Sequence, residues 1–413
     1  MKDLILLLAT PLFLLAIALE LWVDRRRGTG YYRFNDAFGS LSLGILSRSS
    51  TLVIFSLGGL VIDRLLPQVR LMEWDSSSLW TWVFTFVAYD FMYYWLHRTG
   101  HSLNVFWAGH AIHHQSEDYN LTTALRQTSS EIWGWVFGVP LLMLGIPLEV
   151  YLTCGALNLI YQFWVHTQHI DKLGWMEHVM VTPSNHRVHH GQNPEYIDKN
   201  HGGVFIVWDR LFGTFQPELD HVETIYGARS PLHSLNPVWA NCQVWFSLVR
   251  DAWHTASWWD KCRIWFMPTG WRPADVQQAY PSQLSDLDNF HKYNPSAPRV
   301  AQWYCLFQLA AAVPLLVFFL EHYKALSYSQ VLLGFVLITL PLITTAWLLE
   351  GRREGWESTR LIVSWVVLAL AWNLMSPDSA MVFGGYLLLN SIVYLVLFKS
   401  DRFVLKERRA ENG

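Results

Sequence analysis

Histidine is the residue type through which this sequence could do chemistry. The chain holds 17, and twelve of them fall between His97 and His201. They gather into four clusters: His97-Arg98-Thr99-Gly100-His101, His110-Ala111-Ile112-His113-His114, His166-Thr167-Gln168-His169 and His186-Arg187-Val188-His189-His190. On a helix, residues at i, i+3 and i+4 share one face. His97 with His101, His110 with His113 and His114, and His186 with His189 and His190 can therefore each aim imidazoles at one point. These three clusters plus His166 exceed what one ion coordinates, so two neighbouring metals with about four or five imidazoles each is the economical reading. Imidazole suits iron, zinc, copper or nickel, and ligand type alone does not choose among them. No Glu follows the first His of any cluster, which separates the pattern from the zinc-protease HExxH, and soluble di-iron bundles use mainly Glu.

Ligand imidazoles need partners for their other N–H. Asp90 lies in an apolar stretch ahead of His97. A carboxylate there is expensive in lipid and should face the bundle interior. Asp90 and Glu117 are the candidates for supporting catalysis. Asp118, Asn120, Asp198 and Asn200 are candidates for orienting the ligands, with helix capping as their simpler reading. His169 is a candidate extra ligand, and His201 stands between ligand and packing residue. His178, His221, His233, His254, His291 and His322 read as ordinary packing or hydrogen-bonding residues.

Helices must carry these clusters to one place, and the composition says in what solvent. The chain is 52% hydrophobic and 15% charged, where a soluble domain averages about 25% charged. Its 23 Trp, 17 Tyr and 23 Phe suit membrane–water interfaces. Disorder, a collagen-like fibre and a disulfide-stapled miniprotein are excluded. A net charge of −3 gives no basic field for nucleic acid. Cys154, Cys242, Cys262 and Cys305 lie far apart in no ligand spacing, which argues against a zinc–cysteine site or disulfide framework. Apolar runs long enough to cross a bilayer fall at about 3–23, 42–66, 79–96, 131–147, 149–165, 299–320, 328–349, 359–375 and 379–398. The first runs straight into Arg25-Arg26-Arg27 and reads as an uncleaved anchor. With the amino terminus outside, these arginines, Arg352-Arg353 and the basic tail (Lys399, Arg402, Lys406, Arg408, Arg409) all fall on the cytoplasmic side. Both histidine-bearing stretches then share that side.

The expected fold class is an all-α integral membrane protein, a multi-span helical bundle with a cytosolic histidine-rich di-metal cap. Residues 1–78 would be amino-terminal membrane helices, and 79–216 the catalytic region with a membrane hairpin. Residues 217–298 would form a Trp-rich cytosolic cap, its tryptophans either resting on lipid headgroups or filling an aromatic core. Residues 299–413 would be carboxy-terminal membrane helices and a basic tail. Those last spans show almost no ionisable residue within the bilayer and offer no catalytic candidate.

The order His-x3-His, His-x2-His-His, His-x2-His-His resembles that of the fatty acid hydroxylase and sterol desaturase superfamily of membrane di-iron enzymes. Further runs resemble the ether-lipid-cleaving monooxygenases of that superfamily, among them Tyr89-Asp90-Phe91-Met92-Tyr93-Tyr94-Trp95-Leu96-His97-Arg98, Thr182-Pro183-Ser184-Asn185-His186 and Trp208-Asp209-Arg210-Leu211-Phe212-Gly213-Thr214-Phe215. The likeness is strong over about residues 30–216. It implies two iron ions, dioxygen as oxidant and a long-chain lipid substrate. Carried over by position, the metal ligands would be His97, His101, His110, His113, His114, His166, His186, His189 and His190. The ether-cleaving members use tetrahydrobiopterin and hydroxylate the carbon beside the ether oxygen. Ser102 stands where they carry an acidic residue, and His169 and His178 where they carry apolar ones.

The expectation is a dioxygen-dependent monooxygenase hydroxylating a lipid drawn from the bilayer: an ether lipid, a sterol or a fatty acyl chain. Desaturation at the same di-iron site is the alternative. A metal transporter or sensor is the rival of another class; it would line a mid-bilayer path with ionisable residues and show inverted repeats, and neither is evident. No flavin, haem or ferredoxin motif is present, so electrons must come from a separate protein or a pterin.

Overall fold

The computed structural model describes residues 2–53, 68–129, 134–352, 355–372 and 375–411. Among them there is no strand, only three isolated bridges (Leu103 with Pro268, Met180 with Phe205, Gly191 with Tyr226) joining loops to helix ends. Two compact units are formed. The first comprises Met1–Arg33, Ser56–Leu232 and Asn241–Lys292, the second Phe34–Phe55, His233–Ala240 and Tyr293–Gly413.

The first unit is built on two long helices, Leu79–Ser102 and Leu148–Trp164. Their partners rise together along both sequences. A Cβ on Gly155 would lie 2.8 Å from the Tyr89 hydroxyl, Asn158 Nδ2 donates to Asp90 Oδ1 at 2.7 Å, and Tyr93 donates to Gln162 Oε1 at 2.7 Å. The helices are therefore parallel, and both end at histidines. Between them the chain returns to the opposite end, where Leu71 N donates to Met143 O (2.8 Å) and Trp74 Nε1 to Leu144 O (3.1 Å), just ahead of Leu79.

The return, expected as a span at 131–147, is described only in part. Residues 130–133 lie outside the described residues, and the helix that follows is Trp135–Met143. Its nine residues reach about 13.5 Å at 1.5 Å each, short of a bilayer core. Gly145 ends it at φ 95°, where an added Cβ would lie 1.7 Å from Met72 O, so only glycine fits. Of the span expected at 42–66, residues 42–50 belong to helix Phe34–Ser50, and 54–66 lie outside the described residues.

The tryptophans of the Trp-rich segment divide between packed and exposed positions. Trp245, Trp265 and Trp271 pack with Ala108, Leu248 and Ile264, whereas Trp253 and Trp258 are 81% and 80% exposed.

In the second unit, Arg299–His322, Tyr328–Leu349 and Pro377–Phe398 are long and apolar enough to cross a membrane. Their core includes Leu309, Phe319, Leu342 and Phe383, against which Phe38 and Leu46 of the Phe34–Ser50 helix pack. The expected span at 359–375 is helix Gly355–Ala371. The carboxy-terminal helices do carry ionisable residues: Glu357 and Arg360 are 1% and 4% exposed. Glu357 accepts from Arg360, Tyr304 and Thr344, so the charge pair is enclosed by helices on several sides.

Candidate metal centre

Four helix ends deliver the histidines. Leu79–Ser102 presents His97 and His101, then breaks at Leu103, and Asn104–His114 begins at once with His110, His113 and His114. Leu148–Trp164 hands directly to His166. The short helix Pro183–His190 starts on the Thr182 hydroxyl, which accepts from Asn185 N, with Pro183 in its first turn; it carries His186, His189 and His190. The i, i+3, i+4 phase turns each set to one side.

The rings meet in two groups. His97, His101, His110, His114 and His189 form one, and His113, His166, His186 and His190 the other; within each, one nitrogen per ring lies within 4.8 Å of the rest. Nε2 atoms approach directly: His97 to His110 at 3.0 Å, His110 to His114 at 3.1 Å, His113 to His166 at 3.2 Å and His166 to His186 at 3.1 Å. The stacked rings of His114 and His190, 4.4 Å apart, join the groups.

What turns Nε2 inward is the partner of Nδ1. The Nδ1 atoms of His97, His113, His166 and His189 lie 2.8, 3.1, 2.7 and 2.9 Å from the carbonyl oxygens of His201, Arg126, Gln162 and Lys199. A carbonyl only accepts, so each Nδ1 carries the proton and each Nε2 keeps a lone pair. His101 Nδ1 sits 3.5 Å from Asp198 Oδ1. Meanwhile Nε2 of His101, His189 and His190 is buried without any hydrogen-bond partner. Buried polar atoms are rarely left this way. An all-nitrogen donor set with orphaned lone pairs fits a pair of borderline metal ions such as iron. Burial pushes His110, His114, His186, His189 and His190 well below the ordinary imidazole pKa, and His113 down to about 4. All are neutral near pH 7, the form that binds metal.

Asp198 aside, the acidic candidates meet other partners. Asp90, fully buried, touches no histidine ring; its two oxygens accept from Val204 N, Phe205 N, Trp208 Nε1 and Asn158 Nδ2 at 2.7–3.0 Å. It thereby ties the 201–208 loop, which supplies the acceptor for His97, to the helix bearing His97. Asp198 (φ 58°) and Asn200 (φ 56°) flank the Lys199 carbonyl, and Asn200 bonds Asn185 O and both main-chain groups of Gln216. Glu117 lies 3.8 Å from Arg33, and Asp118 takes Arg33 and Lys292 at 2.9 and 2.8 Å. Asn120 caps Leu121–Ala124 and donates to Tyr31 O. These contacts fasten the 31–33 segment. His169 belongs to neither imidazole group; its ring lies beside Tyr31 and 4.0 Å from Asp24. Sequence reading passed over Asp209, which is fully buried and accepts from His201 N, Gly202 N and the Thr214 hydroxyl. Its signal was a carboxylate inside the otherwise largely apolar run from Val204 to Phe215.

Fold and site together define a class: a helical membrane-associated protein whose helix ends gather imidazoles into two adjoining groups. Residues 82–214 match the family model described as fatty acid hydroxylase. Human alkylglycerol monooxygenase is 37% identical over 84% of this chain and 78% of its own length, and the Xenopus tropicalis protein of that name 36% over 80% and 75%. The ornithine lipid hydroxylase OlsE of Rhizobium tropici is 30% identical over 31% of this chain and 40% of its own. No solved structure matches the chain. The chain belongs to the fatty acid hydroxylase family and is a lipid-hydroxylating monooxygenase.

Proposed function

We propose that this chain uses two iron ions and dioxygen to hydroxylate a glycerol ether lipid, the substrate class in the name shared by its relatives, at the carbon beside the ether oxygen. The observation that carries this reading is the convergence of five and four imidazoles in adjoining buried groups. His97, His101, His110, His114 and His189 would hold one ion, and His113, His166, His186 and His190 the other. When bound, the irons supply the reduction of dioxygen and the oxidising power needed to break a C–H bond. The balance is one C–H, one O2, two electrons and two protons giving one C–OH and one water, with the electrons from a reduced pterin or a donor protein.

The chain's own residues do the rest. Carbonyls on Nδ1 hold each ring at a fixed tautomer and angle. Burial keeps bulk water from the centre, which protects a strong oxidant from side reactions. Asp90 and Asp209 are positioning residues acting through the 201–208 loop. An apolar groove lined by Phe84, Val87, Ala88, Phe91 and Trp208 runs along the Leu79–Ser102 helix. It lies on the outer face of that helix, where Phe84 and Val87 are exposed, and offers an alkyl chain an apolar surface to lie on. Arg25, Arg26 and Arg27, in the last turn of helix Lys2–Arg27 whose Glu20 accepts from Thr167 beside His166, support a cytosolic face for the centre.

Lipid mass spectrometry of cells with and without the protein, with His113→Ala as control, tests this. Loss of ether lipid with appearance of the corresponding aldehyde, absent in the control, is the expected result. A loss of two hydrogens would mark a desaturase, and no lipid change alongside metal uptake into liposomes would mark a transporter.

A further inference from the structure

The nine positions above leave one neighbouring imidazole unexplained. His201 is 1% exposed, and its Nδ1 is buried with no hydrogen-bond partner. Its ring centroid lies 5.0 Å from that of His101 and 5.7 Å from those of His97 and His189. Rings within the first group stand at comparable centroid separations, 5.4 Å for His97 and His101 and 6.5 Å for His110 and His189, although His201 is not among the five whose nitrogens lie within 4.8 Å of one another. The backbone is held at both ends of the residue. Its N–H donates to Asp209 Oδ1 at 2.7 Å, and its carbonyl accepts from His97 Nδ1 at 2.8 Å. The residue is thus fixed beside the first group by its backbone, and its ring adds a hydrogen bond to the Asp198 backbone. A buried nitrogen left without a partner is destabilising, and a neighbouring cation would offset that.

We propose that His201 is a tenth imidazole of the centre, placing its Nδ1 lone pair on the metal held by His97, His101, His110, His114 and His189. Coordination requires the His201 side chain to turn toward the five nitrogens, while its backbone stays anchored. His169, the other extra histidine, makes no such approach and serves as the control.

This inference rests on the two groups holding metal, so the parent chain is tested first. Purified protein is loaded with Co(II), its metal content measured and its retention followed in competition with a chelator. The variants His201→Ala, His201→Cys and His169→Cys are treated in the same way. His201→Ala should lose one of the two ions to chelator about tenfold to a hundredfold more readily than the parent, the effect usual for residues supporting a metal site. Should the alanine variant fold poorly, His201→Cys remains decisive. A thiolate on Co(II) gives a near-ultraviolet sulfur-to-metal charge-transfer band, expected for His201→Cys and absent for His169→Cys. Unchanged retention in His201→Ala, or no such band in a metal-loaded His201→Cys, would overturn the role of His201 alone. Failure of the parent to bind metal would instead overturn the metal reading itself.

Discussion

At the scale of single residues, the carboxylates divide by what they touch. Asp90 Oδ2 accepts from Phe205 N and Trp208 Nε1 at 3.0 and 2.9 Å. Asp90→Asn sets an NH2 against at least one pair of donors, leaving buried groups unpaired at about 1–3 kcal/mol. The variant should melt at lower temperature and carry less metal per chain, while Glu117→Gln, whose carboxylate lies against Arg33, should keep its metal; elemental analysis and thermal unfolding in detergent check both. Glu357 and Arg360 give a second contrast. Arg360→Met strands a buried charge and should cost about 3–5 kcal/mol, whereas Glu357→Gln with Arg360→Met should recover most of that loss. Equal midpoints for the single and double variants would refute this coupling. Asp90 was legible because a lone acid in an apolar run demands partners. Those partners were not: two are backbone N–H groups more than a hundred residues away. Glu357 escaped notice because it lies just ahead of the expected span at 359–375, in the flanking loop.

At the scale of elements, the histidine pattern was readable because helical phase is a property of spacing alone. The carbonyls that orient the rings were not, since any residue supplies a carbonyl and only the fold decides which one arrives. The 198–200 turn shows this. Asp198 and Asn200 both have left-handed backbones, which Asn and Asp tolerate better than most residues, and between them the Lys199 carbonyl meets His189. Asn200 adds side-chain bonds to Asn185 O and Gln216 O at 2.9 and 2.8 Å. Asn200→Gly loses these bonds but keeps the backbone unstrained, whereas Asn200→Ala loses them and adds about 1 kcal/mol of left-handed strain. Thermal midpoints should therefore fall in the order parent, glycine, alanine, and a glycine variant no more stable than alanine would contradict the backbone argument. The end of helix Trp135–Met143 was hidden for a similar reason, since nothing in its sequence announces that Gly145 must sit against Met72 O.

At the scale of the whole molecule, both imidazole groups lie within the first unit, so its stability should be linked to acid and to metal. The sign follows from burial. His110, His114, His186, His189 and His190 have folded pKa values well below the ordinary one, and His113 sits at about 4, while in the unfolded chain each returns to about 6.5. Above that value both states are neutral there and folding incurs no proton cost. As pH falls below about 6.5 the unfolded chain takes up protons that the folded chain refuses, so stability declines progressively toward pH 4. The metal-free protein should therefore show a thermal midpoint flat from about pH 8 to 7 and falling on acidification. Added Fe(II) under anaerobic conditions should raise the midpoint at pH 7, because it binds the folded state alone, and the gain should shrink with acid as protons compete for the same lone pairs. Differential scanning measurements across pH, with and without metal, read both slopes. A midpoint that rises on acidification, or a metal-induced gain independent of pH, would mean that these imidazoles are neither buried neutral nor the groups that hold the ion.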